Sequence, residues 1–225
     1  MPDKPRNLDP LAEKVLDRLA GRPEAAEIIL GGYFALQHYL DYRTTHDIDA
    51  WWRTQPSAAT ENAIAEAMRS VGASTDHELR ERRFGETISF ELYRDGKKRF
   101  SFQVAVRSVE LEPPVPSPWP PILLETLHDN IGAKMNALVE RGAGRDFLDI
   151  ARLADAKLTT PAQCWTLWRQ KNPGRSVDHG KSKVAFHLMT LESHRPLDSI
   201  QDPVERAKAR DTREWFRQAF LGIGS

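Results

Sequence analysis

Leu30-Gly31-Gly32-Tyr33-Phe34-Ala35-Leu36, followed by Arg43-Thr44-Thr45-His46-Asp47-Ile48-Asp49, is the stretch whose reading decides the fold. Ala26 to Leu30 reads as a buried strand running into the glycine pair. Tyr33 to Tyr42 then takes helical spacing through Leu36, Tyr39 and Leu40, and Asp47 to Trp52 alternates acidic with apolar side chains in the period of a strand. Two residues apart on a strand, Asp47 and Asp49 point from one face. Carboxylates held side by side repel, and a hard cation such as Mg²⁺ or Mn²⁺ between them relieves the repulsion. An isolated Asp-x-Asp is also an ordinary solvent-facing strand edge. Glycines at a strand-to-helix junction let a phosphate approach the backbone, and the helix-start amides favour an anion, but a tight turn accounts for the pair equally well.

Outward from this stretch the signals are those of a small α/β unit. Asp9-Pro10 caps and starts a helix whose apolar face is Leu11, Val15, Leu16 and Leu19, and Gly21 ends it. Another helix runs from about Glu61 to Val71. Strands at Glu86 to Arg94 and Lys98 to Arg107 are joined through Asp95-Gly96, a strong hairpin signal. Six prolines between Glu112 and Pro121 cannot continue a helix or a central strand, so this segment reads as a stiff, extended connector. Beyond it strand signals vanish: Ile122 to Arg141, Arg145 to Ala156, Pro161 to Gln170, Val184 to Glu192 and Val204 to Leu221 all read as helices, with Thr160-Pro161 as a cap. The expected fold is α+β, with a short mixed sheet in a core over residues 1–112, a proline-rich linker over 113–121 and a mostly helical domain over 122–225 that closes a cleft.

Composition narrows the function. Among 225 residues, 32 Lys and Arg balance 32 Asp and Glu, so a nucleic-acid partner needs a local basic patch and a general coat protein is excluded. Arg80, Arg82 and Arg83 with Lys97, Lys98 and Arg99 form the candidate patch, though surface solubility explains them as well. The single cysteine, Cys164, cannot form an internal disulfide, and Met1 to Pro10 lacks a basic stretch followed by an apolar run. These features, with no run of roughly 20 apolar residues, predict a cytoplasmic protein without membrane partners. The histidines lack zinc-site spacing. Cys164, beside Trp165 and Trp168, reads as a packing residue, and for Trp51 and Trp52 core packing is the preferred reading, with stacking of one of them on a base as the alternative.

The two opening segments resemble the first motifs of the AbiEii/AbiGii toxin family, within the DNA polymerase beta-like nucleotidyltransferase superfamily. The resemblance continues in Lys134-Met135-Asn136-Ala137-Leu138-Val139-Glu140-Arg141 and Arg145-Asp146-Phe147-Leu148-Asp149-Ile150-Ala151-Arg152-Leu153, a helix lysine, an arginine and an Arg-Asp-x-x-Asp helix start. Three ordered motifs over roughly 120 residues make a more specific match than any one of them. Without the family, Lys134 and Arg141 are a solvated helix stripe, and Asp146 and Asp149 are acids favoured by the helix dipole.

With the family, the resemblance implies an NTP bound by Gly31, Gly32, Arg43, Thr44, Lys134, Arg141, Arg145 and Asp146, its phosphates over Gly31-Gly32 and met by Lys134, and Mg²⁺ on Asp47 and Asp49. Catalytic roles then fall on Asp47, Asp49, Lys134 and Asp149, with Asp149 orienting the lysine. The implied activity transfers a nucleoside monophosphate to an RNA hydroxyl, with the tRNA 3′ end as leading acceptor, in a toxin opposed by a cognate antitoxin. One departure stands out: the superfamily's third acidic residue aligns with Gln103, a neutral and poorer ligand, for which Glu91 on the neighbouring strand is a possible substitute. Two other readings stay open, a small-molecule nucleotidyltransferase of the antibiotic-modifying kind and a non-catalytic nucleotide- or partner-binding homologue.

Overall fold

The computed structural model describes residues 3–107 and 109–223. By its internal contacts the chain divides into two compact units, Met1–Asn130 and Ile131–Ser225.

The first unit is built on a mixed seven-stranded sheet of order β3-β4-β5-β2-β1-β7-β6. Its strands are β1 (Ile28–Gly31), β2 (Asp47–Trp52), β3 (Glu78–Phe84), β4 (Thr87–Arg94), β5 (Lys97–Ala105), β6 (Val115–Pro116) and β7 (Leu123–Leu124). Central β2 runs antiparallel to β1 and parallel to β5. The period-two pattern of β2 places Ile48, Ala50 and Trp52 in the core. There they join Phe90, Phe102 and Val104 and the buried faces of helices α1 (Pro10–Leu19) and α3 (Ala58–Thr75). Burying one such side chain contributes about 1.5–3 kcal/mol, so this face fixes the register and thereby aims Asp47 and Asp49 at the other face. Asp9 caps α1, accepting from Leu11 N at 2.6 Å and Ala12 N at 3.3 Å, and its second oxygen lies 2.5 Å from His46 Nδ1, tying the entry to β2 onto that helix. Asp95 and Gly96 turn the β4–β5 hairpin with φ of 52° and 70°, the backbone that a two-residue turn of this hand demands.

Several elements differ from the sequence reading. The helix expected to reach Tyr42 is the short α2 (Gly32–Leu36), after which the chain turns. The strand expected from Ala26 begins at Ile28, because Pro23–Glu27 forms a 3₁₀ turn. The proline-rich segment contributes β6 at the sheet edge, where a missing N–H is tolerated, and Leu123–Leu124, read as helix, is β7, parallel to β1. Strand β3 went unread because Glu78-Leu79-Arg80-Glu81-Arg82-Arg83-Phe84 is almost wholly polar, a composition suited to an exposed edge.

Helix α4 (Leu127–Glu140) starts in the first unit and continues in the second, which is otherwise α5 (Gly144–Asp155), α6 (Pro161–Lys171), α7 (Val177–His194) and α8 (Pro203–Trp215), the last running into a π-turn over Phe216–Phe220. Its core is aromatic: Phe147 meets Phe216 edge-on at 4.8 Å, and Trp165 lies 5.8 Å from Trp168 and 5.3 Å from Phe220. The mixed sheet followed by helices is the α+β architecture expected from the sequence.

Candidate functional site

The acidic strand sits in the middle of the sheet with a row of defined neighbours. Asp49 stands opposite Gly31 on β1 and Gln103 on β5, while Asp47 stands opposite Ser101, which in turn faces Glu91 on β4. Residues in register on adjacent strands share a face, so Asp47, Asp49, Trp51, Ser101, Gln103 and Glu91 belong to the face opposite the core.

Close packing explains the glycine pair. A Cβ added at Gly31 would run into the Trp51 indole, and one added at Gly32 would collide with the Asp49 carboxylate and stand 2.7 Å from Asp49 Cβ. Gly32 also has φ of 60°, a left-handed backbone that costs other residues about 1–2 kcal/mol. The pair thus brings the entry of α2 directly against the Asp49 side chain. The carbonyl of Gly32 accepts from Asn130 Nδ2 at 2.7 Å, which fixes the same junction from the start of α4. Because α2 is only five residues long, what it offers an anion is its first backbone amides more than a macrodipole.

Asp47 is reachable by solvent, its side chain 45% exposed; it accepts from Ser101 Oγ at 2.5 Å and has Lys98 Nζ at 3.6 Å. Glu91 lies one strand beyond Ser101, and it takes Tyr93 OH at 3.0 Å and Arg82 Nε at 3.2 Å. Among the described residues, no three Asp, Glu, His or Cys side chains gather closely enough to hold a metal by themselves. Glu91 therefore does not complete a cluster with Asp47 and Asp49. Trp52 is the core residue of the tryptophan pair, and Trp51 lies half-buried on the acidic face against Gly31.

Arg43 stacks on Tyr33, its guanidinium 3.3 Å from the ring centroid, and the Arg43 carbonyl accepts from Gln37 Nε2 at 2.7 Å. The segment carrying Arg43 and exposed Thr44 is thereby pinned beside α2. The arginines of the suggested basic patch are already engaged: Arg80 with Glu78 at 2.9 Å, Arg82 with Glu91 at 3.2 Å and Arg83 with Glu61 at 2.6 Å.

In the helical unit, two ion pairs join α4 and the residue just after it to α5. Lys134 Nζ lies 2.7 Å from Asp149 Oδ2, with the two side chains 10% and 0% exposed. Arg141 grips Asp146 in bidentate fashion, Nε and Nη2 each at 2.8 Å, and Asp146 also accepts from Ala143 N at 3.0 Å at the start of α5. A solvated stripe is therefore the wrong description of Lys134. The Arg145-Asp146-x-x-Asp149 motif splits: both aspartates turn inward, to Lys134 of α4 and to Arg141 just after it, while exposed Arg145 lines a cleft with α7 and α8.

One cluster escaped the sequence reading. Asp129, fully buried, holds Arg107 Nη2 at 2.5 Å and accepts from the backbone amides of Leu111 and Glu112 at 2.9–3.2 Å, while Glu125, also buried, lies 3.4 Å from the same guanidinium. Their scattered positions left no spacing to detect. The network anchors the loop after β5 to the start of α4, beside Asn130 and hence the Gly32 carbonyl. Cys164 is fully buried, and burial pushes its thiol up to about 11, as befits a packing residue.

Among the described residues, no helix is long and apolar enough to cross a membrane. None of the curated proteins compared matches the sequence. A family model described as nucleotidyl transferase AbiEii toxin, type IV TA system, matches residues 14–221, a span that includes the glycine junction, the acidic strand and both ion pairs. The chain thus belongs to the AbiEii nucleotidyl transferase toxin family of type IV toxin–antitoxin systems.

Proposed function

We propose that the chain transfers a nucleoside monophosphate from an NTP to a hydroxyl of an RNA acceptor, the tRNA 3′ end being the leading candidate, and that a cognate antitoxin opposes it. The observation that carries this reading is the junction at which the Asp49 side chain packs on Gly32, so that a carboxylate and helix-start amides share one spot on the sheet face opposite the core.

The donor set fits Mg²⁺ in its usual enzymatic form, in which one or two carboxylates are supplemented by substrate phosphates and water. Asp47 and Asp49 would hold the ion, which when bound offsets charge on the triphosphate. In this reading the amides of Gly32 and Tyr33, with Arg43 and Thr44, position the phosphates. Lys134 supplies an ammonium for charge developing on the leaving pyrophosphate, Asp149 holds that ammonium in place, and Arg141 with Asp146 stiffens the same pair of helices. The acceptor oxygen attacks the α-phosphorus, the bond to the β-phosphate oxygen breaks, and pyrophosphate leaves. Gln103 stands in the place taken as the third carboxylate, so the acceptor's proton passes to Asp49 or to solvent. The same glutamine supports a second reading, a homologue that binds nucleotide without transferring it.

The test is incubation of the purified protein with Mg²⁺, each α-labelled NTP and total RNA, beside Asp49→Ala. Label entering RNA with the wild type alone is the expected result. Equal labelling by both proteins excludes this site, and NTP binding without transfer selects the second reading.

A further inference from the structure

Within the helical unit, α5, the end of α7 and α8 enclose a cleft of about 1050 Å³. That volume is just above the roughly 300–1,000 Å³ of small-molecule sites. The wall mixes apolar and charged side chains in near-equal measure, and the half-buried Trp215 stands at it, stacked edge-on against Phe216 at 4.9 Å.

The charges around this cleft do not cancel. Its acids already have cations: Asp155 has Arg152 at 3.8 Å, Glu205 has Lys208 at 2.8 Å and Asp211 has Arg210 at 2.9 Å. Three lining arginines, Arg145, Arg195 and Arg213, have no carboxylate within ion-pair distance among the described residues. Arg213 is the telling one: it is only 6% exposed, yet its guanidinium has one partner, the Arg195 carbonyl, which accepts from Nη2 at 2.6 Å. The acid facing it electrostatically, Glu192, is engaged by Arg217. Burial, with Arg195 and Arg217 nearby, lowers the affinity of Arg213 for its own proton, although an arginine stays charged at any physiological pH. The remaining guanidinium nitrogens stay reachable by solvent, where an anion adds the compensation that partial burial withdraws.

We infer that this cleft is a second anion site that takes a nucleotide, its phosphate on the guanidiniums of Arg213, Arg195 and Arg145 and its base against the Trp215 ring. The planar fork of arginine matches phosphate oxygens, and an indole face offers stacking to any base. The ligand is either a free nucleotide or one residue of a single-stranded RNA, since both present the same phosphate and ring. This site is built wholly from the helical unit and does not rest on the transfer reading.

The experiment titrates the full chain carrying Asp49→Ala, in EDTA to silence the sheet site, with inorganic phosphate, the nucleosides, their 5′-monophosphates and a five-residue oligoribonucleotide. Calorimetry is expected to show a monophosphate or the oligonucleotide binding at least about tenfold more tightly than phosphate or nucleoside alone, as expected for one charge-assisted hydrogen-bonding group added to another contact. Arg195→Ala, at an exposed position, and Trp215→Leu, at a half-buried one, each checked for a retained cooperative melt, are each expected to weaken binding by about tenfold. Arg213→Met is expected to abolish it. Tighter binding of the free nucleotide identifies a small effector, and tighter binding of the strand identifies RNA. No binding at millimolar ligand, equal binding of phosphate alone, or binding that survives both the Arg195 and the Trp215 substitutions overturns the proposal.

Discussion

The molecule carries two pairs of aspartates that look alike in sequence and are opposites in structure. Asp47 and Asp49 lie on the sheet face opposite the core, where Asp47 is 45% exposed and leans on a hydroxyl and a distant lysine. Asp146 and Asp149 are fully buried, Asp149 matched to Lys134 of α4 and Asp146 to Arg141 just past the end of that helix. A sealed acid must be balanced by the protein itself, whereas an accessible acid can have its charge balanced by whatever arrives from solution. The family's later motif is therefore needed by the fold, whatever its part in the proposed chemistry.

Breaking the sealed pair has the largest expected effect. Asp149→Ala strands Lys134 in the interior and is expected to cost about 3–5 kcal/mol in denaturant unfolding, while Lys134→Met combined with Asp149→Leu is expected to recover most of that stability without recovering activity. A double variant as unstable as the single one removes ion-pair balance as the explanation. Gly32→Ala probes the pair on the sheet less severely. Left-handed strain of about 1–2 kcal/mol adds to the collision with Asp49, so stability is expected to fall by roughly 2 kcal/mol and label transfer to fall with it. Retention of full transfer would falsify the role assigned to that junction.

Gln103→Glu sharpens the comparison by adding a carboxylate directly beside Asp49. In EDTA the variant is expected to lose under about 1 kcal/mol, and Mg²⁺ is expected to raise its melting temperature more than that of the wild type. No metal dependence would show that this row does not converge on a cation. Cys164 gives the smallest effect. Its thiol, raised by burial from 9.0 to about 11, contributes stability that is intact below pH 9 and declines between 9 and about 11 as only the unfolded chain ionises. Native protein at pH 8 is accordingly expected to react with thiol reagents only at its unfolding rate, and prompt labelling would contradict the burial.

What the sequence made legible follows the same division. Period-two alternation over Asp47 to Trp52 and the Asp95-Gly96 turn are local signals, and the strand and hairpin stand where they were expected. Asp9-Pro10 and Thr160-Pro161 likewise start α1 and α6 through side-chain caps. Elements fixed by distant partners were not legible. β7 exists because Leu123 and Leu124 pair with Ile29 and Leu30, and β3 survives its charges because β4 covers one edge. At the site, the sequence pointed to residues but not to their company: nothing in the spacing of Arg107, Glu125 and Asp129 announces a buried network, and Arg145 adjoins Asp146 in sequence but turns to a different surface. The collision that requires glycine at 32 is likewise a contact between the start of α2 and strand β2, invisible until the chain is folded.

The most direct test of the central contrast is the melting temperature of Asp47→Asn and Asp149→Asn, each measured without ligand and with saturating Mg²⁺ and NTP. The account predicts that Asp47→Asn melts within a few degrees of the wild type and loses the ligand-induced rise, whereas Asp149→Asn melts far lower even without ligand. An Asp47→Asn protein that is strongly destabilised yet keeps the full ligand-induced rise would contradict it.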